Sequence, residues 1–423
     1  MSNSKVKLLA PAGSYESLQA AIQAGADEVY FGIEGLNMRA GAAVNFKLED
    51  LPEIRKICKN NKVKSYVAIN TVLYEQDLNL VRKIIDSVKI NQIDGIFAAD
   101  IAAIEYARSI GVEVHISTQL SVSNYETVKY WSKYADRIVL ARELNLKQIE
   151  FICDQIKKEK LKGPKRKLIE IEIFAHGALC ISISGRCGMS LYHYNASANR
   201  GVCKQPCRKA YKVTDIESGK EQVIDNEFVM SPKDICTISF MDQILNAGVN
   251  VIKIEGRGRQ ADYVERVTRC YREAIDSVKN GTYTKPRINN WMEKLGTVFN
   301  RGMSDGYYLG KSMGEWSASY GSKATQEKHY VGRVQKYYPR KKIAEIKTEA
   351  LEISKGEEFV IQGKNTGVVR GTFSELRTDE EGFITNVPRK RIVTFPLSTR
   401  VRKNDQLYVL RKRGKEQVAL PYR

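Results

Sequence analysis

The sequence predicts an α/β protein, a (β/α)8 TIM-type barrel with a cysteine-rich insertion, followed by a small C-terminal β-barrel domain. Three observations support this fold class. Apolar segments alternate with amphipathic segments eight times before residue 280, as in a barrel of parallel strands and outer helices. Five of the eight cysteines lie between residues 180 and 236. After residue 325 short alternating runs separated by turns are typical of a β domain.

The predicted strands are short and apolar on both faces, as buried parallel strands are. They span residues 6–10, 28–33, 64–70, 95–99, 112–118, 137–141, 168–174 and 250–254. The predicted helices span residues 15–25, 48–61, 78–89, 102–110, 125–134, 146–158, 240–247 and 261–279. Ser14 is a suitable N-cap for the first helix. An open doubly wound sheet is the competing architecture, although no G-x-G-x-x-G follows the first strand.

The length of 423 residues exceeds that of a usual single domain. We expect a barrel domain over residues 1–322, with the cysteine-rich insertion at about 175–236. A basic β domain is expected over residues 325–423. No apolar run reaches the roughly 18 residues that span a bilayer, and the N-terminal apolar stretch is too short for a signal peptide. We therefore expect a cytoplasmic protein that does not enter a membrane.

The charge predicts an anionic partner. Lys and Arg outnumber Asp and Glu by 68 to 49, a formal net charge of +19. Residues 325–423 hold 22 basic and 12 acidic residues, so about a quarter of the chain carries +10 of that excess. Nucleic acid is the commonest large anion that such a protein binds, and small β-barrels with basic loops often bind it. The alternative is a basic surface without a partner.

The cysteines of the insertion predict a metal centre. Cys180, Cys187, Cys203, Cys207 and Cys236 lie in a glycine-rich, polar segment that packing alone does not explain. Thiolates are the preferred ligands of soft metals and of iron–sulfur clusters. The wide and uneven spacing favours an Fe4S4 cluster, with zinc as the alternative, since only Cys203 and Cys207 resemble a zinc knuckle. Four thiolates suffice for a cluster, so one of the five is spare.

Polar residues follow the predicted strands at the edge where a barrel carries its chemistry. His176, Glu143 and Glu255 are candidates for acid–base catalysis, while a backbone-bonded structural role is the alternative for His176. Arg142 and Arg257 can clamp carboxylates of an anionic substrate, or else belong to an ion-pair network at the rim. The predicted substrate-binding residues are Asn70, Thr118, Gln119, Arg142, Lys253 and Arg257.

A series of long motifs runs through the chain. They read APAGSYESLQAAIQAGADEVYFG (10–32), STQLSVSN (117–124), RIVLARELNL (137–146), FAHGALCISISGRC (174–187), NRGVCKQPCR (199–208), SPKDIC (231–236) and KIEGR (253–257). With these motifs the chain resembles peptidase family U32, and the resemblance covers essentially its whole length. The family name implies a collagenase-like protease.

The branch of this family with a C-terminal β domain resembles the prephenate-dependent tRNA uridine hydroxylases. That resemblance implies 5-hydroxyuridine formation at the wobble position, with tRNA held at its anticodon loop and prephenate as cosubstrate. It implies Cys180, Cys187, Cys203 and Cys236 as Fe4S4 ligands, with Cys207 as an alternative. A second U32 protein is a further expected partner.

Three functions therefore remain open at this point: a tRNA hydroxylase, a U32 peptidase, and a non-enzymatic RNA-binding protein with a structural cluster. The sequence contains no H-E-x-x-H motif, no P-loop and no Ser-His-Asp order. This argues against an ordinary zinc or serine peptidase.

Overall fold

The computed structural model describes residues 6–41, 45–209, 211, 213–222, 230–310, 315–317 and 321–414. Parts of the predicted units, such as residues 223–229 in the insertion and 415–423 at the end of the β domain, lie outside the described residues. Eight parallel strands form a barrel. They are β1 (Lys7–Pro11), β2 (Glu28–Gly32), β3 (Lys64–Ile69), β4 (Gly95–Ala98), β5 (Val114–Ile116), β6 (Arg137–Val139), β7 (Glu170–Gly177) and β8 (Val251–Ile254).

The barrel closes because β8 pairs in parallel with both β1 and β7. Every other neighbouring pair from β1 to β7 is also parallel. The predicted TIM-type barrel is therefore confirmed. Its outer helices are α1 (Tyr15–Gln23), α2 (Leu51–Asn60), α3 (Leu78–Ile90), α4 (Ile101–Ser109), α5 (Tyr125–Trp131), α6 (Leu146–Lys158), α7 (Met241–Asn246) and α8 (Ala261–Lys279).

The helices begin where the sequence places capping residues. The side chain of Ser14 accepts a hydrogen bond from the backbone N–H of Ser17 at the start of α1, as predicted. Asp100 and Asn145 cap α4 and α6 in the same way. The apolar faces of these helices pack on the outside of the barrel in one continuous core. Among the described residues, no helix combines the length and the hydropathy needed to cross a bilayer.

The barrel interior holds charged side chains as well as an aromatic layer. Arg137 is 1% exposed, and its guanidinium donates to Glu28 at 2.9 Å, Glu170 at 2.8 Å and Glu172 at 3.3 Å. On the other side of Glu172, the Nζ atom of Lys253 donates to Oε1 at 2.9 Å. Buried charges are tolerated when they are paired and hydrogen-bonded in this way.

The insertion follows β7 and covers the carboxyl ends of the strands. It contains a short helix, Met189–Tyr194, and three 3-10 turns, Ile183–Gly185, Ala198–Arg200 and Pro206–Arg208. Two short strands, Val213–Thr214 and Glu221–Gln222, pair with each other. The chain then returns through the strand Asp234–Cys236, which pairs antiparallel with the end of β7, and Met303–Ser304 adds to its other edge. The helix α9 (Lys285–Gly296) packs beside α8.

The C-terminal region is antiparallel β-structure, as predicted. Eight strands form one sheet in the order Gly367–Thr372, Glu358–Gly363, Gln406–Lys412, Gln326–Tyr338, Ile343–Thr348, Ile392–Pro396, Leu376–Thr378 and Gly382–Ile384. Ile353–Ser354 and Asn386–Val387 form a separate pair. The sheet encloses its own apolar core, in which Phe359, Phe373 and Phe395 contact one another.

The β domain rests on α1 and α8 of the barrel. Ala20 and Ala261 contact Val360 and Val368 in a small apolar cluster. The side chain of Gln23 both donates to the carbonyl of Thr366 at 2.7 Å and accepts from the backbone N–H of Val368 at 3.2 Å. Ion pairs at 3.0 Å (Lys328 with Asp262) and 3.1 Å (Arg370 with Glu265) border this contact.

Replacing Arg137 with Ala tests the buried charge network. The change leaves three carboxylates without their shared cation, so we expect a loss of about 3–5 kcal/mol in the free energy of unfolding. Urea denaturation followed by circular dichroism measures it. Lys59→Ala, on the exposed face of α2, is the control and should stay within about 0.5 kcal/mol of wild type. An equally small effect for Arg137→Ala would contradict the network's role.

Candidate active site

A cavity of about 350 Å³ opens at the carboxyl ends of the barrel strands. Tyr30, Phe97 and Phe174 contribute to it from the barrel interior, and residues of the insertion line its outer side. In TIM-type barrels the chemistry takes place at this end of the strands. The cavity is therefore the candidate active site.

Most residues predicted from the sequence meet in this cavity. Those in its lining are Asn70, Thr118, Gln119, Arg142, Lys253, Glu255, Arg257, Cys180, Cys187, Cys203 and Cys207. His176, Glu143 and Cys236 are not among the lining residues. The strand ends of separate repeats thus converge at one place, as closure of the barrel requires.

Glu255 is the central carboxylate of the cavity. Its Oε1 atom accepts from Nη2 of Arg39 at 2.8 Å, and its Oε2 atom accepts from the hydroxyl of Tyr30 at 3.2 Å. Burial raises the pKa of Glu255, but the positive charges of Arg39, Arg142 and Arg257 outweigh that effect and lower the pKa to about 2. Glu255 is therefore ionised at neutral pH and serves as an anchor for cations, not as a general acid.

Arg142 and Arg257 keep donors available for an anion. Arg142 donates through Nη1 to the carbonyl of Ala178 at 2.8 Å and lies 3.9 Å from the ring centroid of Phe174. Arg257 donates through Nη1 to Asn37 at 2.9 Å. The Nε atom of each arginine is buried and has no hydrogen-bond partner among the described residues. The Nη2 atom of each arginine donates to no described residue, and these atoms are the donors that a ligand anion can use.

Gly32 makes room for one of these arginines. A Cβ atom at this position would lie 2.7 Å from Nη1 of Arg257 and 2.6 Å from the amide nitrogen of Asn37. Any side chain there would displace the guanidinium. The glycine at the end of β2 thus leaves space for the side-chain ends of Asn37, Asn45 and Arg257.

Lys253 extends from β8 into the cavity and is 5% exposed. Its Nζ atom lies 3.7 Å from the ring centroid of Phe97 and 4.4 Å from that of Tyr30. Burial lowers the pKa of Lys253, whereas the paired carboxylate of Glu172 acts in the opposite direction. The lysine adds a further cation to the floor of the site.

Four thiols line the cavity on the side of the insertion. Cys180 follows β7, Cys187 precedes the helix Met189–Tyr194, and Cys203 and Cys207 flank the turn at Pro206. Burial raises the pKa of Cys207 to about 11, against the positive charge of Arg208, and the three other thiols add to the rise. These four are the residues that could hold a metal centre.

Cys236 does not join them. It is 4% exposed, its Sγ atom lies 3.9 Å from Sδ of Met292, and it accepts from the hydroxyl of Tyr271 at 3.8 Å. Burial raises its pKa to about 11. Because Asp234–Cys236 pairs with β7, the thiol contacts the core beneath α8 and α9 and not the cavity. The cavity lining therefore includes Cys207 and leaves out Cys236, which belongs to the ligand set that the family resemblance implied.

His176 lies within β7 and not beyond its end, because pairing with Cys236 extends this strand to Gly177. The register between β7 and β8 shifts by one residue after Phe174, which is a β-bulge. The ring of His176 consequently packs on Tyr263 and Tyr271 of α8, with Nδ1 at 3.3 Å from the hydroxyl of Tyr271. Burial, together with the charge of Arg259, lowers its pKa to about 3. The proposed acid–base histidine is thus a buried neutral group outside the cavity.

Glu143 lies near Tyr307 and Tyr308; burial raises the pKa of both tyrosines, and the charge of Glu143 adds to the rise. It does not line the cavity either. Sequence reasoning also missed four arginines that do, namely Arg39, Arg208, Arg259 and Arg301. Two of them had a signal in the sequence, because Arg259 follows KIEGR by two positions and Arg208 ends the motif NRGVCKQPCR, whereas Arg39 and Arg301 lie in loops outside the quoted motifs.

Fold and site together define a TIM-type barrel protein with a strongly basic, thiol-lined cavity at the carboxyl ends of its strands. The sequence signature of peptidase family U32 matches residues 13–318. The chain therefore belongs to peptidase family U32, and the resemblance noted from its motifs is confirmed.

Relatives in this family carry two kinds of name. A protein of Porphyromonas gingivalis called collagenase is 50% identical over 96% of this chain and 98% of its own length. The tRNA hydroxylation protein P1 of Bacillus subtilis is 30% identical, over 94% of this chain and 93% of its own. The tRNA hydroxylation protein P of Helicobacter pylori is 31% identical over 72% of each. The chain is thus similar to proteins named for proteolysis and to proteins named for RNA hydroxylation.

Glu255→Gln tests the electrostatic anchor. The folded-state pKa of about 2 lies below the ordinary 4.5, so the ionised carboxylate stabilises the fold at neutral pH, and this stabilisation is lost as the pH falls from 4.5 towards 2. We expect Glu255→Gln to cost about 1.5–3 kcal/mol at pH 7. Denaturation at several pH values should show this difference shrinking in acid. Glu105→Gln, exposed on α4, should show no such trend, and a constant difference for Glu255→Gln would contradict the assignment.

Proposed function

We propose that this protein hydroxylates a uridine of tRNA to 5-hydroxyuridine, with an iron–sulfur cluster as cofactor and prephenate as the source of the hydroxyl group. The observation that carries the proposal is the composition of the cavity, in which four thiols and several arginines face one space at the barrel's carboxyl end. Thiols in such an arrangement suit a cluster, and the arginines suit anionic substrates.

The donor set supports an iron–sulfur cluster, because four thiols line the cavity. The wide and uneven spacing of these cysteines in the sequence differs from the paired knuckles of structural zinc sites. A cluster with several iron atoms is bound by thiolates around its outside, as four thiols lining one cavity can do. Cys180, Cys187, Cys203 and Cys207 would hold it, and it would supply one-electron chemistry.

Arg142 and Arg257 are the proposed clamp for the carboxylates of prephenate. Each has an Nη2 atom that donates to no described residue, and the charges of both act on the ionised Glu255. Glu255 keeps the two guanidinium groups close together although they repel each other. The clamp would orient the cosubstrate above Lys253 and exclude water from the reacting groups.

The insertion suits RNA as the second substrate. Residues 173–214 contain six Lys or Arg residues and no Asp or Glu. Apolar side chains are exposed in the same segment, with Tyr192 at 89% and Ile183 at 65%. Basic groups beside exposed aromatic rings bind single-stranded nucleic acid through its phosphates and by stacking on its bases. An anticodon loop offers both, and an unstacked base could reach the cavity.

Proteolysis is the second candidate, because the 50% identical relative is named collagenase. The cavity provides little for it. No histidine is among the described residues that line it, so its cysteines have no imidazole base. The described residues offer no single-ion metal site for a metallopeptidase either. Hydroxylation accounts for the thiols, the arginines and the basic insertion together.

A deletion strain tests the activity. We expect its tRNA to lose 5-hydroxyuridine, as measured by mass spectrometry of digested nucleosides, and a plasmid copy of the wild-type gene to restore it. Two results together would favour the peptidase. The deletion strain, with no second member of the gene family, would keep its 5-hydroxyuridine, and the purified protein would cleave gelatin.

Two cysteine variants test the ligand set. Anaerobic reconstitution of the wild type with iron and sulfide should yield about four iron atoms per chain. Cys207→Ser should lose most of this iron and the visible absorbance, because it removes one of four ligands. Cys236→Ser should keep both, since its thiol contacts Met292 and Tyr271. The reverse outcome would return Cys236 to the ligand set.

A further inference from the structure

We infer that Arg259 and Arg301, held on the ring of Phe299, form a second anion site in the cavity wall that takes a phosphate group of the RNA chain. This site rests on the proposed function. It is separate from the Arg142–Arg257 clamp. The thiols have another arginine, Arg208, beside them and do not depend on this pair.

The geometry of Arg259 is the starting observation. Its guanidinium carbon lies 3.5 Å from the ring centroid of Phe299, so the planar group stacks on the ring. The residue lines the cavity and is partly exposed. Its side chain makes no hydrogen bond or ion pair with any described residue. A guanidinium stacked on a ring, with donors that no described residue uses, is prepared for a ligand anion.

A second arginine shares the same ring. The guanidinium of Arg301 lies 5.1 Å from the centroid of Phe299, and its Nη1 atom lies 3.5 Å from the carboxylate of Asp234. Burial lowers the pKa of Arg259, and the neighbouring charge of Arg301 contributes to the shift. Two cations that repel each other therefore share one aromatic ring, and the carboxylate of Asp234 pairs with Arg301. A bound anion would relieve this repulsion.

The thiols do not account for this pair. Arg208 is the arginine placed beside them, since the charges of Cys207 and Cys180 act on it. Its donors are also occupied, by Ser231 at 3.0 Å, by the carbonyl of Pro232 at 2.7 Å and by that of Leu179 at 2.6 Å. The charges acting on Arg259 come instead from Tyr263, Arg301, Asp234 and Arg39. Arg208 thus lies beside the thiols with its own hydrogen bonds to the protein, while no described residue uses the donors of Arg259.

A phosphate suits this position better than a second carboxylate of the cosubstrate. A nucleotide whose base enters the cavity must bring its flanking phosphates to the wall, because base and phosphate are joined through the sugar. Arg259 lies in the loop after β8 and Arg301 in the loop after α9, which places both beside the strand ends. Stacked arginines with free donors bind phosphate in a bidentate manner. The site would fix the register of the RNA while the base reacts.

The test compares two ligands on the intact, reconstituted protein. The RNA probe is a synthetic anticodon stem-loop followed by fluorescence anisotropy, and the small anion is prephenate followed by calorimetry. We expect Arg259→Gln to weaken RNA binding about tenfold and to leave prephenate affinity unchanged. The slope of log K against log salt should fall by about 0.7, the amount for one phosphate contact on a single strand. Arg259→Lys should retain the slope and lose part of the affinity.

Arg82→Gln is the matched control, because this exposed arginine stacks on Tyr106 at 5.7 Å on the outer helix α3. It should change neither affinity nor slope. Unchanged RNA binding by Arg259→Gln, or a loss confined to prephenate or equal for both ligands, would overturn the phosphate assignment. Arg259-dependent RNA binding without any hydroxylation would sink the proposed activity and leave the phosphate site standing. If the protein hydroxylated tRNA but its RNA affinity did not depend on Arg259, the phosphate site would be wrong and the proposed activity would stand.

Discussion

The pairing of β7 with β8 is the constraint on which the rest of the structure depends. These hydrogen bonds close the barrel between Glu170–Gly177 and Val251–Ile254. They bring Glu172 against Lys253 at 2.9 Å, so the buried charge network of the interior extends to the floor of the cavity. Closure also places the start of the insertion next to the loop that carries Glu255, Arg257 and Arg259. This strand pair thus brings the start of the thiol-bearing insertion and the arginines of the loop after β8 to one cavity.

Electrostatics explains why the cavity needs its one central carboxylate. Without Glu255, the guanidinium groups of Arg39, Arg142 and Arg257 would repel one another in a poorly solvated space. With it, they stay ordered while two Nε donors remain without partners among the described residues. This arrangement of cations and unpaired donors lowers the stability of the folded protein, and binding of an anionic substrate would offset that loss. Charge arrangements that are unfavourable for stability are common at binding and catalytic sites.

The arginines of the cavity differ in whether other residues of the protein use their hydrogen-bond donors. Arg208 is committed to the backbone of the insertion and to the charges of Cys180 and Cys207. Arg39 is committed to Glu255. Arg142, Arg257 and Arg259 keep donors that no described residue uses. Arg39 and Arg208 are therefore structural cations, whereas Arg142, Arg257 and Arg259 can bind a ligand anion.

Sequence periodicity alone determined the barrel, the β domain and most of the residues that meet in the cavity. This succeeded because parallel strands buried on both faces are apolar throughout, and because closure brings every strand end to one rim. The sequence also placed five cysteines in one insertion, but its local pattern does not show which of them line the cavity. Tertiary pairing decides this for Cys236, because the strand Asp234–Cys236 turns its thiol towards Met292 and Tyr271.

The position of His176 was likewise decided by the tertiary structure alone. A one-residue bulge in β7 exchanges the two faces of the strand, and no local sequence signal marks it. The arginines at positions 39 and 301 belong to the same class, since loops far apart in sequence meet only after the barrel has closed. Local pattern fixes which elements form and which edge they share. Long-range pairing fixes which side chains face the cavity, because register and bulges depend on partners distant in the chain.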